Sequence, residues 1–181
     1  MSLHNSDIHT VSDIYALPEG QRAELFDGVI YNMAPPNRLH QKLLGRLYQV
    51  ISNYIESQKG DCEIYSAPFA VFLNADDKNY VEPDISVICD KNKLNDKGCN
   101  GAPDFIIEIV SSSSKKMDYS IKNAYYSMAG VREYWIVDPE KECTTVYRYE
   151  EDAAPMIVPF QQKIVVGIYG NLSIVISDLM N

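Results

Sequence analysis

The chain lacks most of the features that would place a protein in a class at sight. No stretch reaches 18 uninterrupted apolar residues, which excludes a simple apolar membrane-spanning helix. There is no Walker loop, no dinucleotide fingerprint and no HExxH, so those three classes of site are set aside. Basic residues are scarce: 16 Lys and Arg stand against 25 Asp and Glu, a formal net charge of −9. That argues against a protein gripping nucleic acid by bulk electrostatics, which relies on clustered cations. It does not exclude a nuclease, because a carboxylate-lined metal site is itself acidic and a local basic groove can coexist with it. Four cysteines (Cys62, Cys89, Cys99, Cys143) form no CxxC pair, and three histidines do not complete a zinc set. The segment from Met1 to Asp7 lacks the basic flank and apolar core of a secretory signal. Cytoplasmic residence is therefore the expectation, and the cysteines read as free, mostly buried thiols.

What is present is a composition suited to a folded domain, with 46% hydrophobic and 23% charged residues over 181 positions. One domain over residues 1–181 is expected, with its core at about 20–150. A short helix fits residues 10–17, capped by Thr10 or Ser12 and stopped by Pro18. Glu24 to Tyr31 reads as a hairpin turning at Asp27-Gly28. Leu39, Leu43, Leu47, Val50, Ile51, Tyr54 and Ile55 recur with helical period over 37–58, and Gly60 is expected to end that helix. Strand-like segments follow at 62–73, 81–89 and 104–110, with a polar loop from Asp90 to Pro103. A second helix fits 118–129, with an apolar stripe of Ile121, Ala124, Tyr125 and Met128 and Gly130 just past its end. Glu133–Val137 and 143–149 read as a hairpin, and 164–176 as two further strands. The order predicts an α/β core with a mixed sheet flanked by helices, plus an extra N-terminal hairpin and C-terminal strands.

Two acids stand out. Asp84 follows Pro83 at the head of one strand, and Glu108 lies within the apolar run 105–110 of another. A carboxylate in such a run is costly to bury unless a cation or donor meets it. Two of them at neighbouring strand ends are what a divalent metal needs. Lys122 falls on the same helix edge as Asp118. It reads either as a surface i,i+4 pair or as a cation reaching over the strand ends, a role Lys115 and Lys116 could also fill from the preceding loop. His40 lies in the apolar arc of the first helix, as a core histidine or beside a metal or substrate. Glu24 alone reads as a surface carboxylate. Ser111–Ser114 reads as a helix-capping loop without the GxSxG setting of a serine nucleophile.

Taken together these residues resemble the PD-(D/E)xK nuclease superfamily. More narrowly they resemble the Uma-type "putative restriction endonuclease" family, formerly a domain of unknown function, over roughly residues 10–179. The resemblance is carried by Glu24–Gly28, Ala34-Pro35-Pro36 with His40, and Pro83-Asp84. It continues through Gly101–Asp104 into Glu108–Ser111, then Asp118 with Lys122 and Tyr126, and the run Ala129–Pro139. It implies a restriction-endonuclease-like fold and a Mg²⁺- or Mn²⁺-dependent endonuclease acting on DNA, commonly dimeric. Asp84, Glu108 and the carbonyl of Ile109 would be metal ligands, with Lys122, Glu24 and His40 as further site residues. The position two after the glutamate, where the superfamily carries its lysine, is Val110. Lys122 would supply that cation from the following helix. The alternative is a dimeric binding or scaffold module on the same fold, which the missing lysine and the −9 charge favour.

Overall fold

The computed structural model describes residues 8–112, 114–151 and 153–180. The segment read for a secretory signal, and Ser113 of the serine loop, lie outside them. Helix α1 (Val11–Tyr15) starts at Thr10, whose backbone N–H donates to Asp13 Oδ2 at 2.8 Å. Strands β1 (Ala23–Phe26) and β2 (Val29–Asn32) form the expected hairpin. Its turn residues Asp27 and Gly28 both take positive φ, as the tight hairpin turn requires. Helix α2 (Arg38–Ser57) is capped by Asn37, which accepts from His40 N–H at 2.9 Å. The left-handed residue after it is Lys59, φ 50°, not Gly60.

Each of the next two expected strands is broken in two. Residues 62–73 supply β3 (Glu63–Ser66) and β4 (Val71–Phe72), and the expected strand 81–89, begun one residue earlier, supplies β5 (Tyr80–Val81) and β6 (Ile85–Ile88). The halves join different sheets, with prolines 68 and 83 between them, where missing N–H groups disfavour continued pairing. The polar loop contains a small hairpin, β7 (Leu94–Asn95) and β8 (Gly98–Asn100). After β9 (Phe105–Ile109), a π-helical stretch Met117–Lys122 runs into α3 (Asn123–Ala129), ended by left-handed Gly130. Then come β10 (Glu133–Asp138), β11 (Cys143–Arg148), the unexpected β12 (Met156–Pro159), β13 (Lys163–Val165) and β14 (Ser173–Val175).

The central sheet is mixed, in the order β12-β11-β10-β9-β6-β3, with β9 and β10 parallel. The α3 segment forms the crossover between those two, as a parallel pair demands. The two-residue period of β9 sorts its side chains. Phe105, Ile107 and Ile109 pack with Leu43, Leu47 and Ile51 of α2, while Ile106 and Val110 pack with Tyr126, Tyr134 and Ile136 on the other face. A second sheet, β2-β1-β5-β4-β8-β7, contributes Phe26, Val71 and Val81 to that second core.

Two expectations are corrected here. Cys62 and Cys89 are joined by a disulfide. They sit one step beyond the Glu63–Ile88 pair of β3 and β6, so cross-strand pairing brings them together; only Cys99 and Cys143 are free among the cysteines. The α3 stripe is also displaced: Met128 is 82% exposed, and the buried residues are Asp118, Lys122 and Tyr126. Apolar counting missed this face because two of its three members are charged. No helix among the described residues is long and apolar enough to cross a membrane.

Candidate active site

The register of the central sheet builds the site. In the antiparallel pair β6–β9, Ile85 faces Ile107. One step further, Asp84 comes beside Glu108, where directly opposed residues hold their Cβ atoms about 5 Å apart. Glu108 lies on the same strand face as Ile106 and Val110, turned away from α2. Both acids line one cavity of about 350 Å³, together with Glu24, His40, Ile109, Asp118 and Lys122. All five side chains singled out from the sequence therefore meet at one place.

Lys122 is the hub. Its Nζ lies 2.9 Å from Glu108 Oε1, 3.0 Å from Glu24 Oε1 and 3.7 Å from Asp118 Oδ1, and the residue is 4% exposed. The i,i+4 pair with Asp118 exists, but it is buried, and Lys122 also reaches the strand ends. Glu24 is not the surface acid expected. Its carboxylate is buried on β1 and accepts from Glu82 N–H at 3.1 Å. Lys115 pairs instead with Glu140 at 3.2 Å and stays outside the cavity.

Tyr126 donates its hydroxyl to Glu108 Oε1 at 2.7 Å, and Ser114 donates to Asp118 Oδ2 at 2.6 Å. Tyr126 was legible as part of the family pattern but not as a site residue. The spacing of Asp118, Lys122 and Tyr126, i, i+4 and i+8, is the signal that places all three on one helix face.

Asp84 is held from two sides. Ile109 N–H donates to its Oδ2 at 2.7 Å, and His40 Nε2 approaches the same oxygen at 3.0 Å. His40 Nδ1 is buried and, among the described residues, has no hydrogen-bond partner. Among the described residues, the side-chain hydrogen bonds and ion pairs of both acids fall on Glu108 Oε1 and Asp84 Oδ2, leaving Glu108 Oε2 and Asp84 Oδ1 without such a contact.

Burial, more than the surplus of acids over cation, shifts their protonation. Burial pushes the Glu108 carboxyl well above the usual range; Lys122 pulls it down, while Asp84, Asp118 and Glu24 push it further up. Burial likewise lifts Asp118 to about 6 against the pull of Lys122 and the Ser114 hydrogen bond. For Lys122, burial opposes the charge, but Glu108, Glu24 and Asp118 outweigh it and hold the ammonium well above its ordinary value.

Among the described residues, no group of three or more His, Cys, Asp or Glu side chains is placed to hold a metal ion. The site is therefore not a closed cage of protein ligands. Two carboxylates, each with one free oxygen on a shared cavity, suit a hard cation that keeps several of its waters, as Mg²⁺ does. Val110 is buried in the second core, on the strand face it shares with Glu108. Lys122 brings an ammonium to Glu108 from the helix packed over that face.

Comparison with known proteins bears on the family and the fold. A family model described as "Uma2: Putative restriction endonuclease" matches residues 11–166. An uncharacterized protein of Synechocystis sp. is 26% identical over 142 residues, covering 78% of this chain and 73% of that protein. A crystal structure of "a putative nuclease belonging to DUF820" from Anabaena variabilis superposes with a TM-score of 0.76. It is 20% identical in sequence, over 94% of this chain and 97% of the other. At that identity the likeness speaks to the fold, which is nuclease-like. The family match spans most of the chain, including every residue of the cavity described above, and the chain belongs to the Uma2 putative restriction endonuclease family.

Proposed function

We propose that the protein is a metal-dependent endonuclease that hydrolyses DNA phosphodiester bonds. Asp84 and Glu108, with the backbone carbonyl of Ile109 and water, would hold Mg²⁺ or Mn²⁺. When bound, the ion would activate a water and offset charge on the phosphate. The chain's own residues do the rest. Ile109 N–H donates to Asp84 Oδ2 and the His40 ring lies against the same oxygen, which leaves Oδ1 for the ion. Lys122 and Tyr126 fix Glu108 through Oε1 in the same way. The Lys122 ammonium supplies positive charge beside the reacting phosphate, and Glu24 holds it in place.

The observation that carries this reading is the 2.9 Å contact of Lys122 Nζ with Glu108 in a cavity that Asp84 also lines. Mn²⁺ titration of the purified protein should show saturable binding, weakened at least about tenfold in Asp84→Asn. Plasmid DNA should be cut with Mg²⁺ or Mn²⁺ and left intact by Glu108→Ala. A protein that cuts no DNA with either ion would instead favour a non-catalytic dimeric binding module, the reading that Val110 and the −9 charge suggest.

A further inference from the structure

Besides His40, two basic residues line the acidic cavity, and they are not used alike. Lys122, which carries three donors, is held by the three carboxylates of Glu24, Glu108 and Asp118. Asp84 adds a fourth acid to the same wall. An incoming anion therefore finds Lys122 already taken. The second cation is Arg22.

The β1–β2 hairpin places Arg22 there. It precedes Glu24 by two residues, and residues i and i+2 of a strand share a face. Met33 N–H donates to the Arg22 carbonyl at 2.9 Å, so Arg22 stands opposite Met33 as Glu24 stands opposite Tyr31. All four residues line the cavity. Two residues of strand span about 6.6 Å, which sets Arg22 one such step along the wall from Glu24, the acid of β1 that holds Lys122.

The Arg22 guanidinium is only partly used. Nε donates to Glu82 Oε2 at 2.7 Å, and Nη2, although buried, lies against the same oxygen without a well-aligned hydrogen bond. Among the described residues Nη1 has no hydrogen bond or ion pair. Arginine presents five N–H donors in a fixed fork, so one carboxylate oxygen leaves most of them over. Glu82 does not line the cavity, and its other oxygen accepts from the Tyr80 hydroxyl at 2.6 Å. The pair thus anchors Arg22 from outside the cavity, while the arginine side chain stays 36% exposed.

We infer that Arg22 is a phosphate-binding residue: the unused edge of its guanidinium takes the non-bridging oxygens of a backbone phosphate of the strand in the cavity. The inference rests on the nuclease reading and adds to it a contact for the substrate's backbone. A planar fork that meets two oxygens at once is what arginine offers and lysine does not. A backbone contact carries no sequence information, so Arg22 fixes where the strand lies and not which sequence is bound.

The test measures binding of a fluorescein-labelled DNA duplex by anisotropy, at fixed Mg²⁺ and several KCl concentrations. The full-length protein carries Glu108→Gln so that the DNA survives. In that background Arg22→Gln should weaken binding roughly tenfold. The plot of log affinity against log salt should become shallower by about one, the mark of one lost phosphate contact. Arg22→Lys should restore the slope but not the full affinity. Glu82→Gln, which frees the guanidinium, should bind DNA at least as tightly as the background. A merely structural pair predicts that Arg22→Gln and Glu82→Gln weaken binding alike and leave the slope unchanged. That result, or no binding by the Glu108→Gln protein at any salt, overturns the assignment. If Arg22→Gln does not fold, weaker binding by Glu82→Gln overturns it alone. Cleavage of DNA by the wild type with Mn²⁺ is assayed in parallel. Cleavage with an unchanged slope sinks the Arg22 contact alone, and an Arg22-dependent slope without cleavage sinks the nuclease reading alone.

Discussion

Replacing Lys122 with Met tests how the site is held together. Met keeps most of the aliphatic stem but removes the ammonium, leaving Glu108, Glu24 and Asp118 buried without their cation. At an effective dielectric of about 20, contacts at 2.9 and 3.0 Å are each worth roughly 6 kcal/mol gross, and the one at 3.7 Å roughly 4. Desolvation of the lysine and of the acids cancels most of that sum, so the net loss on removing one partner of a buried pair is about 3–5 kcal/mol. The loss depends on pH with a definite sign. Asp118 in the folded state sits at about 6, above its unfolded value of about 4. A carboxyl raised on folding contributes stability at low pH that is lost as pH rises through this window. Without Lys122 the acids rise further, so the gap between wild type and Lys122→Met widens from about pH 4 to pH 8. Urea unfolding in EDTA-containing buffer at several pH values measures it. A difference under about 1 kcal/mol at pH 8, or one that does not change with pH, would refute this account of the cluster.

Three further outcomes follow from the packing. Gly98 takes φ 140°, and a Cβ there would lie 2.2 Å from the Ala70 carbonyl oxygen; Gly98→Ala should cost at least about 2 kcal/mol in a urea titration. The Cys62–Cys89 bridge spans 27 residues, so Cys62→Ser should lower stability by about 3 kcal/mol, and thiol counting in the unfolded, non-reduced wild type should find two reactive cysteines. Met156 and the 70%-exposed Ile157 sit on β12, the outermost strand of the central sheet, where unpaired backbone invites a second copy. Light scattering should show a dimer that Ile157→Lys weakens, and a monomeric wild type would end that reading.

Much of the fold was legible because its period is its cause. The α2 stripe of Leu43, Leu47, Ile51 and Ile55, the alternation of β9, the Asp27-Gly28 turn and left-handed Gly130 are local patterns with local reasons. The pairing of Asp84 with Glu108 was also within reach, since two short strands with one acid each near an end have few registers. The stripe of α3 was misread because a helix that delivers charge to a site carries Asp118 and Lys122 on its inner face. The splitting of 62–73 and 81–89 between two sheets was hidden for another reason: which sheet a short strand joins depends on partners far away in the chain.

The sequence by itself determined the two acids, the valine two positions after Glu108 and a lysine at position 122. Tertiary structure decided what those residues are to one another. It buried Glu24 against Lys122, set His40 on Asp84, brought Tyr126 to Glu108 and joined Cys62 to Cys89. The physical reason is that a buried charge is stable only where its partners converge. Convergence of residues 24, 84, 108 and 122 is set by how strands and helix pack, which no local pattern records.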